Sequence, residues 1–241
     1  MCHQVYLNTG TAGPLANVTT DAIANATAHA AAIGRGNFQI YTPWLEAADA
    51  LRLHYANLTN SPLSTIALTH HTTDGMNITI HGLNWQAGDE LLTTNWEHQG
   101  GYIPSYVVGR RQQVGIRVVD LDYWDSMDMI IAKFEAAITS RTRLLVISHV
   151  TWNTGLRLDL KAICDMAHKH GVLVLADAAQ SVGMIPLDLP DSGVDFYAMP
   201  AQKWLCGPEG IGALYVRPDR LTQLEMTFSG FLSLENPMAY D

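Results

Sequence analysis

Lysine is scarce in this chain: Lys133, Lys161, Lys169 and Lys203 are the four among 241 residues. Three of them fall in ordinary helical surface patterns. Lys203 instead follows the strand-like segment Phe196-Tyr-Ala-Met199 and is flanked by Trp204-Leu205, then by Gly207-Pro208 and Gly210. A lysine shielded in this way loses its charge more readily, because desolvation disfavours the ammonium and frees the amine to form a Schiff base. Asp177 is the complementary part, closing the apolar run Val172-Leu-Val-Leu-Ala-Asp177. An acid at the carboxyl end of a buried strand can hold a pyridinium nitrogen protonated. The pair points to pyridoxal phosphate (PLP) as cofactor. In that chemistry Lys203 forms the Schiff base and then moves the proton at the substrate α-carbon, for which a lowered pKa is needed.

The elements that must position this pair alternate along the chain. The patterns predict helices over 16–33 and 43–58, a strand at 65–68, and a helix opening in His71-Thr-Thr-Asp-Gly-Met-Asn77 and running to Leu83. Further strands are expected at 90–94, 115–119, 143–148, 172–176, 196–199 and 211–216, and further helices at 99–109, 128–137 and 158–170. The first helix ends before Gly34 and the last before Gly171, as helices commonly do. Strands alternating with helices imply an α/β fold, with a mainly parallel sheet covered on both faces. In such sheets ligands sit at the carboxyl ends of strands. Thr72 and Thr73 fall there, at a helix amino terminus whose free N–H groups and partial positive charge suit a phosphate. A helix cap is the plainer role for either hydroxyl.

Composition bounds the remaining classes. The chain is long enough for one large domain or two small ones, and its hydrophobic share of 48% suits a globular protein. No apolar run approaches the ~20 residues that cross a bilayer. Met1-Cys-His-Gln lacks a basic segment followed by an apolar stretch, so no secretion signal is read and a cytoplasmic location is expected. A net charge of −9 argues against nucleic-acid and anionic-membrane partners. Cys2, Cys164 and Cys206 are odd in number and far apart, which fits reduced thiols and gives no metal site. A nicotinamide-dependent oxidoreductase would need Gly-x-Gly-x-x-Gly, and Asn8-Thr-Gly-Thr-Ala-Gly13 does not supply it.

Ala176-Asp-Ala-Ala-Gln-Ser181, followed by Ala201-Gln-Lys-Trp-Leu-Cys-Gly-Pro-Glu-Gly-Ile-Gly212, resembles the core of the class V aminotransferase family. That family includes cysteine desulfurases, cysteine and cystine C-S lyases, kynureninases and isopenicillin N epimerase-like proteins. The similarity runs from Tyr6-Leu-Asn-Thr-Gly-Thr-Ala-Gly-Pro14 to the strand at 211–216. It implies the PLP-dependent transferase type I large domain, of the aspartate-aminotransferase type, spanning residues 1–241. The carboxyl-terminal small domain is expected to be missing, with a truncated chain as one explanation.

The resemblance also assigns roles. Thr72 and Thr73 match the phosphate-binding turn. His98, in Thr94-Asn-Trp-Glu-His-Gln-Gly100, matches a histidine that stacks on the cofactor ring and assists proton transfer. Asn153, in Ser148-His-Val-Thr-Trp-Asn-Thr-Gly155, falls in a loop whose polar residue lies near the ring hydroxyl or substrate carboxylate, and Thr151 could fill that slot instead. Gln180 matches a donor to the phenolic oxygen. Relatives carry Ser or Thr and then His before the lysine, where this chain has Ala201 and Gln202; Gln202 can still donate through its amide. Cys206 is read as packing, not as a sulfur-accepting nucleophile. The family's substrate-clamping arginine has no evident counterpart, Arg157 being the nearest in sequence. A homodimer acting on a small amino acid is implied, closest to the isopenicillin N epimerase-like and C-S lyase branch. A non-catalytic PLP-binding or partner-binding remnant is the alternative.

Overall fold

In the computed structural model, residues 5–34, 36, 37, 39, 41–230 and 233 are described. Seven strands form one sheet: β1 (Ile66–Thr69), β2 (Glu90–Thr94), β3 (Gly115–Val119), β4 (Thr142–Ser148), β5 (Leu173–Asp177), β6 (Phe196–Pro200) and β7 (Gly212–Val216). Their spatial order is β1-β7-β6-β5-β4-β2-β3. The pairings from β6 through β5, β4 and β2 to β3 are parallel, whereas β7 runs antiparallel to both of its neighbours. The sheet is therefore mixed and mainly parallel, as the alternation predicts.

Both faces of the sheet are covered, so its central strands read as continuous apolar runs. Successive residues of β4 show the pleat directly. Leu145 and Ile147 enter one core with Ile130 and Phe134 of α5 (Met127–Ala137) and Ile163 and Ala167 of α6 (Leu160–Lys169). Leu144 and Val146 enter the other core with Met76 and Ile80 of α3 (Thr72–Gly82) and Val108 of α4 (Gln99–Gln112). α6 is the clearest amphipathic helix, burying Leu160, Ile163, Cys164 and Ala167 on one stripe, with Asp159 accepting from Ala162 N at its start. Local pattern cannot show the 3-10 turns Leu63–Thr65 and Pro218–Gln223 or the single-turn α7 (Leu189–Ser192).

The helices α1 (Asn17–Ile33) and α2 (Tyr41–Leu58) precede the sheet. α2 buries Tyr55 and Ala56, but α1 has no buried residue. Among the described residues no helix is long and apolar enough to cross a membrane.

Candidate functional site

The carboxyl ends of β1, β2, β4, β5 and β6 lie on one edge of the sheet, and the loops leaving them carry the expected residues. Asp177 is the last residue of β5, paired in register with Ser148 of β4 and Ala198 of β6. Only 4% of it is exposed. Ala179 N donates to Oδ1 at 2.8 Å, and Oδ2 makes no hydrogen bond among the described residues. Burial pushes the Asp177 carboxyl above its usual range, opposed by the Ala179 bond and by the Lys203 and His98 charges. Gly101 of α4 packs directly on this carboxylate: a Cβ there would lie 2.9 Å from Oδ2.

Lys203 heads a tight turn in which Cys206 N donates to Lys203 O at 3.0 Å and Cys206 takes a left-handed φ of 52°. Two glycines enclose the turn. A Cβ on Gly13 would lie 2.1 Å from Lys203 O, and one on Gly183 (φ +80°) would lie 3.0 Å from Trp204 C. Gly13 N also donates to Gln202 O at 2.7 Å, fixing residues 8–13 over the lysine turn. The Lys203 amine makes no hydrogen bond or ion pair among the described residues, and burial lowers its pKa against the pull of Asp177. It opens into a cavity of about 720 Å³ lined by His98, Thr151, Trp152, Gln180 and Trp204, with Leu7, Asn8, Gly10 and Thr11 on the amino-terminal side.

His98 is the N-cap of α4, its Nδ1 accepting from Gly100 N at 3.1 Å. Its ring meets Trp152 edge to face, with centroids 5.7 Å apart. Thr72 and Thr73 are the first two residues of α3, and neither is its cap. His71 fills that position, accepting from Asp74 N at 3.2 Å. Both threonine hydroxyls are free of hydrogen bonds among the described residues, and α3 brings Thr73 against the start of α4, where a Cβ on Gly100 would lie 3.0 Å from Thr73 Oγ1. The Gln202 Oε1 atom is buried without a partner.

The cavity thus gathers His98, Gln180 and Lys203; Asp177, Thr72, Thr73 and Gln202 are not in its lining, and Thr73 instead lines a smaller cavity of about 240 Å³ with Gly100. Asn153 stands apart: it is exposed in the turn 151–155 and does not line the cavity, whereas Thr151 does. The Thr151 hydroxyl bonds Thr154 Oγ1 at 2.5 Å and accepts from Leu156 N at 3.1 Å, so it shapes that turn. Arg157 lies with His149 at a separate cavity of about 480 Å³. Cys206 packs on Gly13, its Sγ 3.0 Å from that residue's Cβ position.

Some residues near the site carry no signal in the sequence. Glu97, 7% exposed, is bracketed by Thr94 Oγ1 at 2.8 Å and Ser148 Oγ at 2.6 Å. Burial raises its pKa to about 7, with the two hydroxyls opposing and the Asp177 charge adding. His149 pairs through Nδ1 with Tyr197 OH at 2.7 Å, which also meets Ser181 Oγ at 2.6 Å; burial holds this imidazole neutral, its pKa lowered to about 4. A loop acid and a loop histidine look like solvated residues until the neighbouring strands bury them.

Comparison with known proteins places this arrangement. The model of the class-V aminotransferase family matches residues 5–237, and the chain belongs to that family. It is 32% identical over 197 residues to a probable cysteine desulfurase of Methanothermobacter thermautotrophicus, covering 82% of this chain and 48% of the relative. It is 33% identical over 226 residues to the isopenicillin N epimerase of Streptomyces clavuligerus, covering 92% of this chain and 56% of the relative. The chain therefore spans about half the length of these curated relatives. Among solved structures, the cystine C-S lyase C-DES in complex with its product cysteine persulfide superimposes with a TM-score of 0.90 at 30% identity, over 95% of this chain and 61% of that one. A C-DES mutant with glycine covalently linked to its PLP cofactor matches equally well, with a TM-score of 0.90.

Proposed function

We propose that this chain, as a member of the class-V aminotransferase family, is a PLP-binding large domain that anchors its cofactor on Lys203 and acts on a small amino acid. The observation that carries the reading is the uncommitted amine of Lys203, with a lowered pKa, in a cavity served by a buried carboxylate whose Oδ2 is also uncommitted. The residues present fit PLP. Two free hydroxyls at the start of α3 suit a phosphate, the orphaned Gln202 Oε1 marks a polar position next to the lysine, and Gly101 leaves room at the Asp177 carboxylate.

Bound PLP supplies an electron sink for charge developing at the substrate α-carbon. The protein's own groups do the rest. Thr72 and Thr73, with the helix N–H groups, hold the phosphate. Asp177 keeps a proton on the pyridine nitrogen. His98, braced by Gly100 N and Trp152, presents its ring to the cofactor face. Lys203 accepts and returns the α-proton, and a neutral amine is the form able to accept it.

Within the family we favour a C-S lyase or an epimerase, on the turn Trp152-Asn153-Thr154-Gly155 and the step Lys203-Trp204; Cys206 itself is packed on Gly13. A PLP-binding protein without turnover is the alternative. Purified protein mixed with PLP should give a visible absorbance band that Lys203→Ala abolishes. Release of pyruvate and ammonia from cysteine or cystine would identify a lyase. A band without turnover of any proteinogenic amino acid would identify the non-catalytic alternative. Retention of the band in Lys203→Ala would place the anchor elsewhere and overturn the reading.

A further inference from the structure

Trp204 and Gln180 form a contact that the roles above leave unused. Trp204 Nε1 donates to Gln180 Oε1 at 2.7 Å, and Gln180 Nε2 donates to Gly10 O at 2.9 Å. An indole N–H can only donate and a backbone carbonyl can only accept. One orientation of the Gln180 amide therefore satisfies both partners. In that orientation one N–H of the amide is bound to Gly10 and the other is unspent, at the wall of the cavity that holds Lys203.

The surroundings keep the arrangement rigid. Gly10 approaches so closely that a Cβ would lie 3.0 Å from Gln180 Oε1 and 3.6 Å from Trp204 Cζ2. The turn that carries Trp204 is enclosed by Gly13 on one side and Gly183 on the other. Without the indole donor the Gly10 carbonyl alone holds the amide, and a rotation by half a turn, which loses that bond and sets two acceptors together, would turn an acceptor toward the cavity.

We propose that Trp204 is a positioning residue: its indole N–H locks the Gln180 amide so that the free N–H is always offered to an anionic oxygen of the ligand on Lys203. This rests on the PLP reading, in which that oxygen is the ring phenolate. A donor there draws charge from the phenolate and so lowers the proton affinity of the neighbouring lysine-derived nitrogen. Losing it raises that affinity.

The test is the pH titration of the visible band of the PLP-loaded protein. Trp204→Phe keeps an aromatic ring and removes the donor; its titration midpoint should move up by about one pH unit, tenfold in proton affinity. Gln180→Ala should move it at least as far, and the double variant no further than Gln180→Ala alone. A midpoint unmoved in Trp204→Phe but raised in Gln180→Ala overturns the proposal, as do additive shifts in the double variant. A midpoint unmoved in both variants shows that Gln180 makes no such bond, and also overturns it. Should the wild-type protein give no band, the PLP reading itself fails. The lock is then decided in the cofactor-free protein, where Gln180→Ala must shift one of the six tryptophan indole N–H resonances. Six unmoved resonances would mean that the lock does not exist.

Discussion

Two buried carboxyls, Asp177 and Glu97, stand close enough to feel each other's charge, and their environments separate their tasks. Asp177 keeps one oxygen uncommitted and has Lys203 and His98 within electrostatic reach. Asp177→Asn is expected to retain the visible band on loading with PLP but to lose at least a hundredfold in turnover, since an amide cannot hold a pyridinium; spectroscopy and a turnover assay on one preparation check both. Glu97 has each oxygen bound to a hydroxyl, so a glutamine can replace it with little change of shape. Its folded-state pKa of about 7 lies above the ordinary 4.5, so its contribution to stability is full below pH 4.5 and is lost as pH rises through 7. Glu97→Gln should therefore gain stability over the wild type between pH 5 and 8, by about 3 kcal/mol at most, read from urea unfolding at each pH. Asp177 was legible in the sequence because it closes an apolar run. Glu97 was not, since only the pairing of β2 with β4 brings Ser148 over a residue that reads as loop surface.

At the scale of elements the strands and long helices followed from apolar periodicity, with shifts of one to three residues at most of their ends. The antiparallel direction of β7 did not, because a strand's partner leaves no mark in its local pattern. Nor did the seating of residues 8–13 on the lysine turn, which depends on a glycine contact nearly two hundred positions away. Asn153 follows from the resemblance and Arg157 from proximity along the chain, and folding directs the first to solvent and the second to another cavity. The glycine contact gives a sharp expectation. Gly13→Ala would drive a Cβ to 2.1 Å from Lys203 O, where only backbone can yield. Overpacking of this kind costs about 1–3 kcal/mol, and the displaced turn should weaken PLP retention at least tenfold in a fluorescence titration. Gly36→Ala, with no atom of the described residues within 4 Å of its Cβ position, should leave both quantities unchanged.

The whole molecule is held by groups at both ends of the sheet. At the end opposite the cavity, Asp195 is fully buried and joins His168 at 2.8 Å, Arg220 at 2.8 Å and Arg217 at 2.9 Å. Burial resists ionisation of Asp195, yet these partners and Val174 N hold its carboxyl below the usual range. That stabilisation is present above the unfolded pKa and is lost as pH falls through the folded one. His149, kept neutral with a pKa of about 4, acts in the same direction between pH 6.5 and 4. Asp195→Asn should flatten the acid limb of a stability profile while costing about 3–5 kcal/mol at neutral pH, because it leaves two arginines short of a partner. At the other extreme, α1 is 17 residues long and buries none of them, with Val18 and Ile23 exposed. In proteins most helical stability comes from packing an apolar face. α2 adds exposed Tyr41, Trp44 and Leu45 nearby in sequence. Large exposed apolar surface of this kind marks an association site, and a second copy of the chain is the occupant we expect. Sedimentation at micromolar concentration should give about twice the 26.4 kDa chain mass. Val18→Asp combined with Trp44→Asp should return the protein to the single-chain mass with the sheet intact by circular dichroism. A wild-type chain that sediments as a monomer would overturn this expectation.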